Sequence, residues 1–137
     1  MLLPIDVGER RLAIDARCVV EVLGARPWIA IPNAPTAIPG ATAWRGRALA
    51  LLELGVALGQ PTITAPESRA RNLVVRISDD LVVLGADRVL EARTSGPLAF
   101  SHAIEFELPR LGDTLVDERL VPVLDLERWV RANRRST

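Results

Sequence analysis

The 137-residue chain has no lysine, no tyrosine, a single cysteine and a single histidine. Without lysine there is no Schiff-base amine and no phosphate-loop ammonium, and no glycine-rich loop of the required spacing occurs either. Cys18 cannot form an intrachain disulfide, and with His102 as the only histidine a zinc site is short of its usual ligands. A reducing compartment, with no metal and no cofactor, is the expectation. Long apolar runs are also missing. Met1 and two leucines are followed at once by Pro4 and Asp6, and no stretch reaches the roughly 18 apolar residues of a membrane span, so the expected location is cytoplasmic. Net charge is absent as well: 17 basic residues, all arginine, balance 17 acidic ones, which leaves no overall field for nucleic acid or an acidic membrane.

Aromatic residues are few. Trp28, Trp44, Phe100, Phe106 and Trp129 are not gathered by a basic stripe, which weighs against a small β-barrel that binds single-stranded nucleic acid, the alternative from another functional class. The densest basic cluster, Arg131, Arg134 and Arg135, suits the negative end of a helix. Catalytic groupings are equally thin. Ser101 and His102 are adjacent, and strand neighbours point to opposite faces, so they make no nucleophile and base. Cys18 sits in an apolar run and reads as an inert thiol, and Asp79-Asp80 reads as turn chemistry. No enzyme activity is expected.

What is present is short, extended and strongly apolar. From Leu12 to Val22 the pattern predicts a half-buried strand that becomes wholly buried around Cys18-Val19-Val20. Leu73–Ile77 and Leu81–Leu84 predict a hairpin with Ser78-Asp79-Asp80 as its turn. Pro27, Pro32, Pro35 and Pro39 predict an irregular connection over residues 25–40, and residues 59–71 read as a linker between halves. One helix is expected at the end, capped by Asp125, with Leu126, Trp129 and Val130 on its apolar face.

Two pieces of the chain repeat. Ile14–Val22 lies over Leu84–Ala92, and Arg47–Leu54 lies over Arg119–Leu126, at nearly equal offsets of 70 and 72 residues. The second pair ends in both copies with an acidic residue followed by leucine. The agreement in order and offset implies one domain over 1–137 made of two similar all-β halves that meet near 59–72, each with strands followed by a short capped helical turn. A half of this size is marginal alone, so the two should share a core.

In this order the residues Val19-Val20-Glu21-Val22, Ile31-Pro32-Asn33-Ala34-Pro35, Gly40 with Arg45-Gly46, Leu52-Glu53-Leu54, Ala86-Asp87-Arg88-Val89 and Leu124-Asp125-Leu126-Glu127 resemble the CheW-like adaptor domain of bacterial chemotaxis-type signalling. The resemblance implies two pseudo-symmetric five-stranded SH3-like barrels with short helical turns and a C-terminal helix. It implies an adaptor that couples a chemoreceptor's cytoplasmic tip to the regulatory domain of a CheA-type histidine kinase. It also implies assembly into arrays or rings, and contact with a membrane only through the receptor. An accessory protein that binds receptor without kinase is the second reading within the family.

Carried over position by position, the resemblance implies receptor contact by Val19, Glu21, Gly40, Trp44, Arg45 and Gly46. An arginine there offers five donors in a rigid fork, suited to carboxylates or helix-end carbonyls of a coiled-coil tip. Alternatives stand beside this: Arg45 as a tie within its own loop, Val19 as core, and Trp44 as a buried residue that closes a barrel. The chain departs from the family pattern at Ala43, where asparagine is usual, at Trp44, at Ala50 in place of proline, and at Ala86 in place of valine.

Overall fold

The computed structural model describes residues 1–61, 69–101 and 104–135, with side chains as far as Asn133. The chain forms β1 (Leu2–Val7), β2 (Arg10–Asp15), a 3-10 turn (Ala16–Cys18), β3 (Val19–Leu23), β4 (Ile29–Ala30), β5 (Gly40–Trp44), β6 (Arg47–Leu52) and α1 (Leu54–Ala57). It continues with β7 (Arg71–Ile77), β8 (Asp80–Ala86), β9 (Arg88–Val89), β10 (Arg110–Val116), β11 (Arg119–Leu124) and α2 (Leu126–Arg135). One sheet has the order β10-β11-β2-β1-β9, the other β3-β7-β8-β6-β5-β4. The all-β class, the capped helical turns and the terminal helix are as the sequence implied. Glu53 caps α1 by accepting from Gly55 N at 2.9 Å, and Asp125 caps α2 by accepting from Arg128 N at 3.1 Å.

The two sheets are copies of one plan. In each, two antiparallel hairpins are joined side by side by a parallel pair: Leu51 of β6 faces Val83 of β8, and Val123 of β11 faces Ala13 of β2. The sequence offsets of 72 and 70 carry Leu51 onto Val123 and Ala13 onto Val83, so the repeat preserves register at the junction itself. Even the short pairing of Ile29 with Ala41 has its counterpart in the bridge between Ala99 and Asp113. The halves of the sequence do not coincide with the sheets, however. β1 and β2 leave the first half to pair with β9 and β11, while β7 and β8 pair with β3 and β6.

This interleaving places the core. Each sheet curls around a small cluster of its own: Leu2, Ala13, Val116, Val121 and Val123 in one, and Trp44, Leu49, Leu51, Val74 and Val83 in the other. The larger core lies where the sheets meet, with Ile5, Leu12, Leu52, Leu73, Leu84, Leu124 and Trp129 among its buried members. Alternation explains the division, since residues i and i+2 of one strand share a face. On β11, Val121 and Val123 face the sheet's own cluster while Leu124, beyond them, faces the shared one.

Several expectations are corrected. The run from Leu12 to Val22 is not a single strand, because Asp15 accepts from Arg17 N at 2.9 Å and initiates the 3-10 turn that breaks it. Beyond the turn the chain becomes more exposed, not less: Val20 and Val22 are 43% and 46% accessible on the outer face of β3. The β7–β8 turn is two residues, Ser78-Asp79, and Asp80 already pairs with Ile77. The second sheet has six strands where five were expected, because the proline-rich connection contains β4. Its backbone is otherwise irregular. His102 lies outside the described residues.

Arg69, in the stretch read as a linker, is buried. Its Nη2 and Nε donate to the two oxygens of buried Glu53 at 2.8 and 3.4 Å, and its Nη1 donates to Asp87 Oδ2 at 2.6 Å. The same Asp87 oxygen accepts from Gly8 N at 2.5 Å, and Gln60 Nε2 donates to the carbonyl of Val7 at 2.6 Å. The β1–β2 turn of one sheet is thereby fastened to the β6–α1 corner of the other and to the β8–β9 corner, where the chain passes between the two. Burial alone would lower the Arg69 pKa, but Glu53 and Asp87 outweigh it and hold the guanidinium above its ordinary value.

Candidate partner-binding site

The "WRG" of the sequence forms the turn of the β5–β6 hairpin. Trp44 pairs with Arg47, so the loop is only Arg45-Gly46, with φ of +47° and +75°. Two successive positive φ values define a type I′ turn, whose twist matches that of the flanking strands and whose second position favours glycine. The counterpart hairpin, β10–β11, turns on Asp117-Glu118 with φ of +50° and +66°, so the same backbone is built there without glycine.

Strand alternation sends Trp44 into the cluster of the six-stranded sheet, where it is 7% exposed. Its indole Nε1 donates to Glu21 Oε2 at 3.4 Å. Arg45 Nη2 donates to the other oxygen, Oε1, at 3.0 Å, while its guanidinium lies 4.8 Å from the Trp44 ring centroid. Glu21 reaches them from β3 because a bulge between Val19 and Glu21 shifts its register against β7. A carboxylate bound by two donors thus holds an arginine over a tryptophan. The arginine side chain is still 70% exposed, and among the described residues its Nε and Nη1 make no hydrogen bond. An ion pair this open contributes only about 0.2–1 kcal/mol, so its effect is orientation more than stability.

The other named residues fall into different places. Gly46 supplies the turn. Gly40 is at the far end of β5, where an added Cβ would strike the carbonyl of Ile29 and the ring of Trp28, so it serves the close packing of β4 and β5. Val19, half-buried, packs against the shared core. Glu21, Trp44 and Arg45 are therefore assembled into one site, and Val19 and Gly40 support its strands from a distance. The buried reading of Trp44 and the internal tie of Arg45 both hold.

Sequence reasoning missed the seam that supports this site. Pro27 has no N–H for a ladder, and the edge of β5 is joined to it instead by Thr42 Oγ1 donating to the Pro27 carbonyl at 2.8 Å and Arg26 Nη2 donating to the Ala43 carbonyl at 2.7 Å. Proline beside arginine was the available signal. Cys18 lies in the 3-10 turn, its thiol pushed up to about 11 by burial first and the Asp15 charge second. It is protonated at neutral pH.

The family model for the CheW-like domain matches residues 2–134. The chain belongs to the CheW-like domain family. Among solved structures, the scaffolding protein TtCheW from Thermoanaerobacter tengcongensis superposes with a TM-score of 0.76 at 18% sequence identity, covering 90% of this chain and 87% of that one. That CheW-like relative shares the fold. No curated protein matches the sequence. Within the CheW-like frame, the ordered motifs of the two halves correspond to the corners of the pseudo-symmetric sheets: Glu53-Leu54 and Asp125-Leu126 are the two helix caps, and Ala86-Asp87-Arg88-Val89 is the β8–β9 corner.

Proposed function

We propose that the chain is a non-enzymatic adaptor of chemotaxis-type signalling, coupling a chemoreceptor's cytoplasmic tip to the regulatory domain of a CheA-type histidine kinase. The family match over almost the whole chain supports the adaptor class. The observation that carries the receptor-contact reading is the Glu21–Trp44–Arg45 cluster: a guanidinium held in one orientation with donors left over at the end of a hairpin. A helical hairpin tip offers carboxylates and terminal carbonyls that match those donors. The adaptor works in the cytoplasm and reaches the membrane through its receptor. Two barrels of one plan allow heterologous pairing of a first barrel with a second, which closes rings or extends arrays.

The test is binding of the purified protein to a receptor cytoplasmic fragment and to a kinase regulatory domain, each repeated with Arg45→Ala. The expected result is binding to both, with the receptor contact alone weakened about tenfold or more, the loss of charge-assisted hydrogen bonds being about 1.5–3 kcal/mol. Binding to neither partner by folded protein would sink the proposal. Binding to receptor alone would identify the accessory type.

A further inference from the structure

The internal repeat relates two hairpins whose outer faces have opposite relief. In β10–β11, Leu115 and Leu120 are cross-strand partners that point away from the cluster holding Val116 and Val121, and they are 65% and 46% exposed. The offset of 72 carries Ala43 onto Leu115 and Ala48 onto Leu120. Ala43 and Ala48 are likewise cross-strand partners, exposed on the face of β5–β6 opposite Trp44 and Leu49. Where one hairpin raises a leucine pair, its counterpart is therefore recessed to a pair of methyl groups. Beside the recess Ile29, the cross-strand partner of Ala41 and 78% exposed, forms an apolar wall. The turns next to these pairs differ in charge. Arg45-Gly46 stands where the other hairpin has Asp117-Glu118, while Arg47 and Arg119 are common to both. Asp117 lies 3.4 Å from Arg93 and 3.7 Å from Arg11, but exposed Glu118 forms no ion pair among the described residues, and neither does Arg47.

We propose that these two faces dock on each other between copies of this chain, with Leu115 and Leu120 of one copy seated over Ala43 and Ala48 of the next, against Ile29. Exposed apolar side chains gain by leaving water together, and a leucine pair fills the space above two alanines that a pair of larger residues would occupy. The charges of the turns favour this pairing over its alternatives. A β10–β11 hairpin against its own copy would gather two acidic turns at one contact, and a β5–β6 hairpin against its own copy would gather two basic ones with little apolar area to bury. Each copy then offers one raised face and one recessed face, a heterologous contact that continues into a ring or a filament. The inference rests on the barrel pairing of the adaptor reading and names its surface; the receptor contact is not needed for it.

Sedimentation velocity of the full chain over a concentration series tests the contact. The native chain should grow beyond dimers as concentration rises. Leu115→Glu and Ala48→Glu change exposed side chains, so both variants should stay folded by circular dichroism, and each alone should lose assembly. Mixed in equal amounts they should form heterodimers that grow no further, because each retains the face the other has lost. Ala48→Leu, although more apolar, should also weaken assembly by filling the recess. Arg45→Ala should change assembly by no more than about fivefold, the weight of one exposed charge pair. The adaptor reading is judged by the receptor and kinase titrations, so either can fail alone. A native chain that stays monomeric, including one whose Leu115 binds a kinase regulatory domain instead, would overturn the pairing between copies. So would assembly by either glutamate variant alone, or tighter assembly by Ala48→Leu.

Discussion

Two glycines of the β5–β6 hairpin separate two kinds of constraint. Gly46, at φ +75°, has nothing within 4 Å of an added Cβ, so Gly46→Ala carries only the left-handed backbone cost of about 1–2 kcal/mol. Gly40 has the opposite problem, a clash with backbone and with Trp28, and Gly40→Ala should cost about 1–3 kcal/mol through forced displacement. Urea denaturation of the two variants checks both values. Arg45→Ala should lower stability by no more than about 1 kcal/mol, because the pair it removes is solvent-exposed. Cys18, with its thiol near 11, should alkylate more slowly than a free cysteine at neutral pH and accelerate as pH approaches that value. A rate–pH profile with iodoacetamide measures it. The unfolded thiol ionises near 9 and the folded one near 11, so this group also makes folding less favourable as pH rises through that window.

Among the elements, legibility followed the range of the interaction that made each one. The β7–β8 hairpin and the face of α2 are written in local alternation and capping, and both could be read. The break after Asp15 is a local hydrogen bond that competes with the strand, and it was hidden because the residues around it are apolar. The bulge in β3 decides that Glu21 meets Trp44 from 23 positions away, and no single-strand pattern contains that information. Arg69 was missed for the same reason: its partners are 16 and 18 residues distant, and a charged residue among prolines and threonines reads as solvated. Its burial makes a strong prediction. Arg69→Ala leaves Glu53, 2% exposed, without its counterion and should destabilise by about 3–5 kcal/mol, whereas pairing Arg69→Met with Glu53→Gln should recover much of the loss. Thermal melts of the single and double variants decide it.

For the whole molecule, the repeat was visible in sequence, but the exchange of hairpins between sheets was not, because offsets report similarity and carry no record of pairing. Since residues 1–60 supply strands to both sheets, that fragment alone should show no cooperative unfolding transition, and mixing it with residues 61–137 should restore one. The parallel junction of β2 with β11 also orders events during synthesis. One sheet draws on residues 19–86 only and can assemble while the rest of the chain is still being made. The other is completed later, since β2 gains its parallel neighbour only when β11 has been made.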